Sequence, residues 1–423
     1  MARITKTLVA AIDQAVVPYA TKLFLSNSES GDSANEFKLA SVNSFPSFVK
    51  GDFGNDALFD SIYVATLQGS IDEVETTCTL LVGKATGDLA FDIAQNNQDS
   101  LISSDSSDAL AFFDATLYGP TLSRIVYSLA KASVPEVSNY AIKNVETNHL
   151  GSAFIVDGKY RVVFYRFNTV SQRNGLDLIF ALDELGFNNM VAPLARIQDH
   201  DSNDLGAIFD CTDSGMSLRS LALTSLRDLF DLGGDPSKAG GDFSEESKRL
   251  GEMIGKLHSA AGEAFGVFPG EPKEWIEDIV SRSGHRGSKA SKAAANRCEQ
   301  LKLIENPGAN IRVHGNLNLG NLVRSEMGWF LDDDGETKTA VWSSPIRDVS
   351  ELLAKLEEMA QNAASERFED EAERAAILAK AWVSRNREAF LEGYLQVVES
   401  ADLVPPDALE LEVLLNSFGI ATL

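Results

Sequence analysis

The chain has 423 residues, with 62 acidic side chains against 37 basic ones and a formal charge of −25. A field of that sign repels nucleic acid and anionic lipid, so neither is an expected partner. The three cysteines, Cys78, Cys211 and Cys298, lie far apart at no metal-ligand spacing. The one N-terminal apolar patch, Leu8 to Ile12, is broken by Asp13, so a soluble cytoplasmic protein with no membrane span is expected.

Residues 1–24 repeat Ile4, Leu8, Ile12 and Val16 at helical spacing. Ile62 to Leu67 and Val74 to Val82 read as a hairpin turning around Gly69-Ser70, with Val74, Thr76, Cys78, Leu80 and Val82 on one face. Gln95 to Asp108 is polar and reads as a surface loop, and Leu110 to Ala130 returns to helical spacing. Ala153 to Val156 and Arg161 to Phe167 are strand-like on either side of Asp157-Gly158. Leu176 to Leu185 is a helix stopped by Gly186. Beyond residue 212 the pattern is mainly helical, with an apolar stripe of Leu250, Ile254, Leu257 and Ala261. Ser281 to Arg297 is rich in Gly, Ser, Lys and Arg and reads as a basic loop or a thinly covered helix. Ser343-Ser344-Pro345 opens a further helix with Val349, Leu352, Leu353 and Leu356 on its buried face, and Glu366 to Arg374 reads as a solvated helix face.

The most informative run is Val313 to Leu322, reading VHGNLNLGNL, followed by Gly328 to Glu336, reading GWFLDDDGE. A kinase catalytic loop places an acidic base five residues before an amide that binds the metal. Asn316 and Asn321 keep that spacing, and a carboxylate cluster follows a hydrophobic strand soon after. The base position itself is an amide.

This segment resembles the maltokinase branch of the aminoglycoside-phosphotransferase-like kinases. Members of that branch typically read HGDLHLGQ, then a tryptophan-led strand ending in D-F-E-G-E-P, then S-P-L-R-D-V. Here HGNLNLGN, GWFLDDDGET and Ser344-Pro345-Ile346-Arg347-Asp348-Val349 follow in the same order. Leu250 to His258 resembles the family's L-G…L-H helix, and Phe390-Leu391-Glu392-Gly393-Tyr394 its F-L-x-G-Y segment. The likeness covers 245–395 most fully and 140–200 in part. It implies an α+β, bilobal kinase-like fold. An N-terminal mixed α/β cap subdomain would span 1–135, a small sheet-plus-helix N-lobe 136–211 and a helical C-lobe 212–423.

The departures bear on chemistry. Phosphoryl transfer depends on metal ions, a phosphate-binding lysine and a base that orients the hydroxyl. By the resemblance the base is Asn316, which cannot accept a proton at neutral pH, and the histidine two residues on is Asn318. The lysine position aligns with Phe164, and Arg166 is the nearest cation. The acidic partner on the next helix aligns with Leu178 or, one residue earlier, Asp177. On the metal side Asn321 is a suitable magnesium ligand, with either Asp332 or Asp333 as the metal carboxylate. His314 reads as a structural support of the loop, and Asp348 as an anchor for its own helix and the loop above.

Three functions stay open at this point. The first is a maltokinase-like pseudokinase that needs no cofactor and acts as scaffold or regulator for trehalose–maltose–glucan enzymes. Its partner would be trehalose synthase or an active maltokinase. The second is an active sugar kinase using ATP and magnesium, and the third a sugar- or nucleotide-binding protein without turnover.

Overall fold

The computed structural model describes residues 4–25, 37–45, 62–71, 74–129, 142–147, 151–167, 170–211, 215–238, 242–284, 295, 298–333, 341–367 and 369–419. The chain divides into two compact units, one of residues 1–173 with 192–212 and one of 174–191 with 213–423.

The first unit is built on two five-stranded antiparallel sheets. Helix α1 (Lys6–Leu25) buries Ile12, Val16 and Ala20, a stripe at i, i+4 and i+8, in a cluster with Leu67, Cys78, Leu80 and Val82. That sheet has the order β1 (Lys38–Ser44), β2 (Ile62–Ile71), β3 (Val74–Thr86), β5 (Leu110–Asp114), β4 (Leu101–Asp105). Here the sequence reading needs correction. Gly69 and Ser70 are paired with Thr76 and Glu75 inside the hairpin, so the turn lies beyond them. Gly69 is needed for space, because a Cβ there would come 2.8 Å from the Phe37 ring. The polar stretch expected to be a loop holds β4, an edge strand whose exposed Ser104 and Asp105 mimic loop composition. The expected helix from Leu110 begins as β5, and only Gly119–Leu129 is helical (α3), after α2 (Asp88–Asn96) and two short 3₁₀ turns.

The second sheet has the order β6 (Ile142–Thr147), β7 (Gly151–Val156), β8 (Tyr160–Tyr165), β10 (Asp204–Asp210), β9 (Pro193–Gln198). The β7–β8 turn is as read. Asp157 and Gly158 both take positive φ, 56° and 66°, in the three-residue loop between Val156 and Tyr160. Phe154, Val162, Phe164 and Ile208 pack into one core with Ile62, Val64, Phe113 and Leu122, which joins the two sheets.

The second unit takes in most of α4 (Val170–Glu184), which Gly186 stops with φ 77°. It continues with β11 (Met216–Ser217), α5 (Leu218–Leu232), α6 (Ser244–Phe265), β12 (Phe268–Pro269) and α7 (Pro272–Gly284). β13 (Ala309–Val313), β14 (Leu322–Ser325), β15 (Gly328–Leu331) and β16 (Val341–Ser343) then precede α8 (Ile346–Ser365), α9 (Glu369–Val398) and α10 (Ala408–Gly419). Two three-stranded sheets, β11-β14-β15 and β12-β13-β16, hold the loop that matters. Pro345 is the residue before the helix rather than its first turn, and the Ser344 hydroxyl accepts the Ile346 N–H at 3.3 Å. The charge run falls on exposed residues Glu371, Glu373 and Arg374 of α9. Most of the basic stretch from Ser281 to Arg297 lies outside the described residues.

Helices α6 and α9 cross closely because both carry glycine at the contact. A Cβ on Gly251 would meet the Phe390 carbonyl oxygen at 2.1 Å, and one on Gly393 the Lys248 carbonyl oxygen at 2.1 Å. Two stretches singled out in the sequence, 250–258 and 390–394, are therefore the two sides of one crossing.

Candidate functional site

The loop between β13 and β14 is fixed from beneath by one buried carboxylate. Asp348, in the first turn of α8, accepts the His314 N–H at 2.9 Å and the Gly315 N–H at 2.7 Å. Its Oδ2 also receives Nε2 of the fully buried His258 at 3.3 Å. With that proton on Nε2, His258 Nδ1 accepts from the Tyr394 hydroxyl at 2.9 Å. Burial alone would raise the Asp348 pKa, but the His258 hydrogen bond, the electrostatic pull of the two histidines and the Gly315 amide hold it below the usual carboxylate value. Burial carries the Tyr394 phenol well above its ordinary value. Gly315 has φ 76°, a backbone state that only glycine adopts readily.

Above this anchor the loop closes on itself through asparagines. Asn321 Oδ1 accepts the Asn318 N–H at 2.9 Å, and its Nδ2 donates to the Asn316 carbonyl at 3.1 Å. Asn318 Oδ1 accepts the N–H groups of Gly320 (2.8 Å) and Asn321 (3.0 Å), while its Nδ2 donates to the Asn316 carbonyl at 3.3 Å. Lys355 of α8 adds its ammonium to the Leu317 carbonyl at 2.7 Å, and burial holds its pKa below the ordinary lysine value. Neither Lys355 nor the His258–Tyr394 pair stood out as a site residue in the sequence. The signal for the pair was present as two separate motifs 136 residues apart.

The carboxylates after β15 divide. Asp333 is buried and hydrogen-bonded to His314 Nε2. The Asn316 N–H donates to His314 Nδ1 at 3.2 Å, which places the imidazole proton on Nε2, toward Asp333. Burial favours the neutral ring, but the Asp333 charge and hydrogen bond outweigh it, so His314 titrates above its ordinary value. His314 is thus a structural support of the loop. Asp332 is half-buried, and its N–H donates to the Asn321 carbonyl at 2.7 Å. Asn316, Asn321, Asp332 and Asp333 therefore converge on one hydrogen-bonded assembly.

A magnesium ion would draw on Asn321 with Asp332 or Asp333. In this arrangement the Asn321 amide is engaged at both ends within the loop, and Asp333 is turned to His314. Among the described residues no group of three or more His, Cys, Asp or Glu is placed to hold a metal ion.

The positions aligned with the phosphate-binding charge lie in the first unit. Phe164 is 2 % exposed and sits in the core beneath β8, with no polar atom to offer. Arg166, just past β8, is also buried, and its guanidinium pairs with Asp114 at 3.0 Å. Asp114 further accepts the Thr116 N–H (3.0 Å) and hydroxyl (2.6 Å) and the Tyr19 hydroxyl (3.2 Å). The Arg166 carbonyl accepts the Thr79 N–H at 2.7 Å, so this residue ties β8 to β3 and β5. Burial pushes the neighbouring Cys78 thiol up to about 12, so it is inert. In the second unit Leu178 is buried, whereas Asp177 is half-buried and its charge acts on Arg312.

No family model matches the sequence. Among solved structures, a glucosamine kinase (crystal form A) superposes with TM-score 0.60 at 14% identity, over 97% of this chain and 91% of that one. A glucosamine kinase in complex with glucosamine, ADP and inorganic phosphate gives TM-score 0.60 at 14% identity, over 97% and 92%. Crystal form B gives 0.59 at 16% identity, over 97% and 92%. At this identity the likeness shows the fold. The chain has the α+β, kinase-like fold of these glucosamine kinase structures, with antiparallel sheets N-terminal to a helical region. No helix among the described residues is long and apolar enough to cross a membrane.

Proposed function

We propose that this chain is a maltokinase-like pseudokinase: it keeps the phosphotransferase frame without the chemistry and works through its surface on enzymes of trehalose, maltose and glucan metabolism. One observation carries the reading. The amide at the base position, Asn316, belongs to an asparagine-closed loop whose metal-side amide, Asn321, is spent on that loop. General base catalysis is worth about 10²–10⁴ in rate, and an amide supplies none of it. Phe164 and the Asp114-paired Arg166 support the same conclusion on the phosphate side.

The decisive assay is ATP-dependent phosphorylation of maltose, glucose and glucosamine by contaminant-free protein. The expected rate is several powers of ten below the roughly 1–100 s⁻¹ of active kinases. Asn316→Asp alone should recover little, because Phe164 remains apolar. Mg-ATP should bind weakly or not at all by calorimetry, so that no cofactor is required. Trehalose synthase, or an active maltokinase, is the expected partner. Co-expression followed by gel filtration tests it, and a chain that elutes alone and leaves both enzymes' rates unchanged ends the scaffold idea.

A second reading is an active ATP- and magnesium-dependent sugar phosphotransferase. The end-to-end likeness to a glucosamine kinase favours it. Turnover at ordinary kinase rates in the same assay would establish it over the first.

A further inference from the structure

Beside the asparagine loop the second unit has a groove of about 820 Å³, walled by α5, α8 and residues 318–320. That volume lies within the range of small-molecule sites. Two arginines of α5, Arg219 and Arg227, face it with Leu223 between them at i, i+4, i+8 spacing. Eight residues of helix set them about 12 Å apart along the axis. Both are exposed, and neither guanidinium has a carboxylate partner among the described residues. Lys355 adds a third cation from α8, tethered to the Leu317 carbonyl.

The carboxylates do not cancel these charges. Arg367 and Asp231, also in the wall, neutralise each other at 3.1 Å, with Arg367 lying over the Phe230 ring. What remains is Arg219 and Arg227 against Glu358 and Glu366, while Lys355 also faces Glu351 and Asp348 on its own helix. Two arginines side by side on one helix face are a local concentration of cations on a chain with net charge −25. Arginine forks suit oxyanions because they donate two parallel N–H bonds to them. Asn362, exposed on the α8 wall, offers an amide to hydroxyls.

We infer that this groove binds a small phosphate-bearing ligand, held by Arg219 and Arg227, and not the amino sugar of the solved neighbour. The inference stands beside the pseudokinase reading without depending on it, since binding is measured with neither nucleotide nor metal. The experiment is isothermal titration of the full chain with glucose 6-phosphate, glucose 1-phosphate and pyrophosphate, and with glucose and glucosamine as neutral and cationic controls. Single-site binding is expected for the phosphorylated probes and not for the controls. R219A/R227A, two exposed positions, should weaken it about tenfold or more with an unchanged melting temperature, because two charge-assisted contacts are lost. E358Q should tighten it. A hexose phosphate that outbinds pyrophosphate assigns a sugar phosphate, and the reverse order assigns a free oxyanion; either supports the site. Preference for glucose or glucosamine overturns it, as does phosphate binding that survives R219A/R227A or no phosphate binding at millimolar concentration.

Discussion

The β13–β14 loop and the end of β8, the two regions aligned with phosphotransferase positions, are held in different ways. At the loop, amides hydrogen-bond within the loop over an anchor of Asp348, His258 and Tyr394. At the end of β8 the polar group is internal. Arg166 is an internal ion pair with Asp114 that fastens one sheet to the other. The first region fixes a loop through amides and main-chain N–H groups. The second fixes a sheet through a buried ion pair.

The two buried carboxylates, Asp348 and Asp114, allow this contrast to be broken or sharpened. Asp348→Ala leaves two backbone N–H groups and a buried histidine without their acceptor and should cost at least about 4 kcal/mol by urea unfolding. Its pH dependence has a definite sign. Because the folded-state pKa is depressed, the stabilisation is present above the ordinary carboxylate value, near 3.9, and is lost as pH falls through the folded pKa. The stability gap between wild type and Asp348→Asn should therefore shrink on acidification below about pH 4. A constant gap would mean that the charge of Asp348 is not what holds the loop.

Asp114→Ala should cost about 3 kcal/mol, since it strands a buried guanidinium. Replacing both partners with apolar residues, as in D114L/R166M, should recover part of that loss by the same measurement, the remainder being the Thr116 N–H and Tyr19 hydroxyl left without their acceptor. Asp348 has no such single partner to remove with it, since it holds two backbone N–H groups and a histidine. If D114L/R166M were as damaging as Asp114→Ala, the sheet-fastening account of Arg166 would fail. Gly251→Ala forces a Cβ against the Phe390 carbonyl and should cost about 2 kcal/mol with a lower melting temperature. The smallest effect is expected at Asn321→Ala, about 1 kcal/mol for two hydrogen bonds at a half-buried site, read by urea unfolding.

Much of this was legible in the sequence for a physical reason. The spacing of Asn316, Asn321 and the following aspartates is local, and so is the amide at the position aligned with the base. What escaped depended on contacts distant along the chain. Nothing local distinguishes Gly69 as a residue that yields to Phe37 from Gly69 as a turn. The run Leu110 to Phe113 is an apolar stretch too short for its period to decide between strand and helix. The partner of Arg166 is 52 residues away, on a strand that had been read as the start of a helix. That Asp333 rather than Asp332 reaches His314 depends on how the end of β13 meets the end of β15, which alignment by strand or by turn cannot show.

The anchoring of His314 and Gly315 through main-chain N–H groups has a consequence for how such a protein can change. A side chain anchor would be lost with its residue, but a carboxylate that grips the peptide backbone is indifferent to what the loop displays. Asn316, which joins the loop through its backbone N–H and carbonyl, can therefore be exchanged for acid, base or amide with little penalty to folding, whereas the Asn318 side chain is part of the closure. The loop is an interchangeable fitting, and the helices below it set only how it is held.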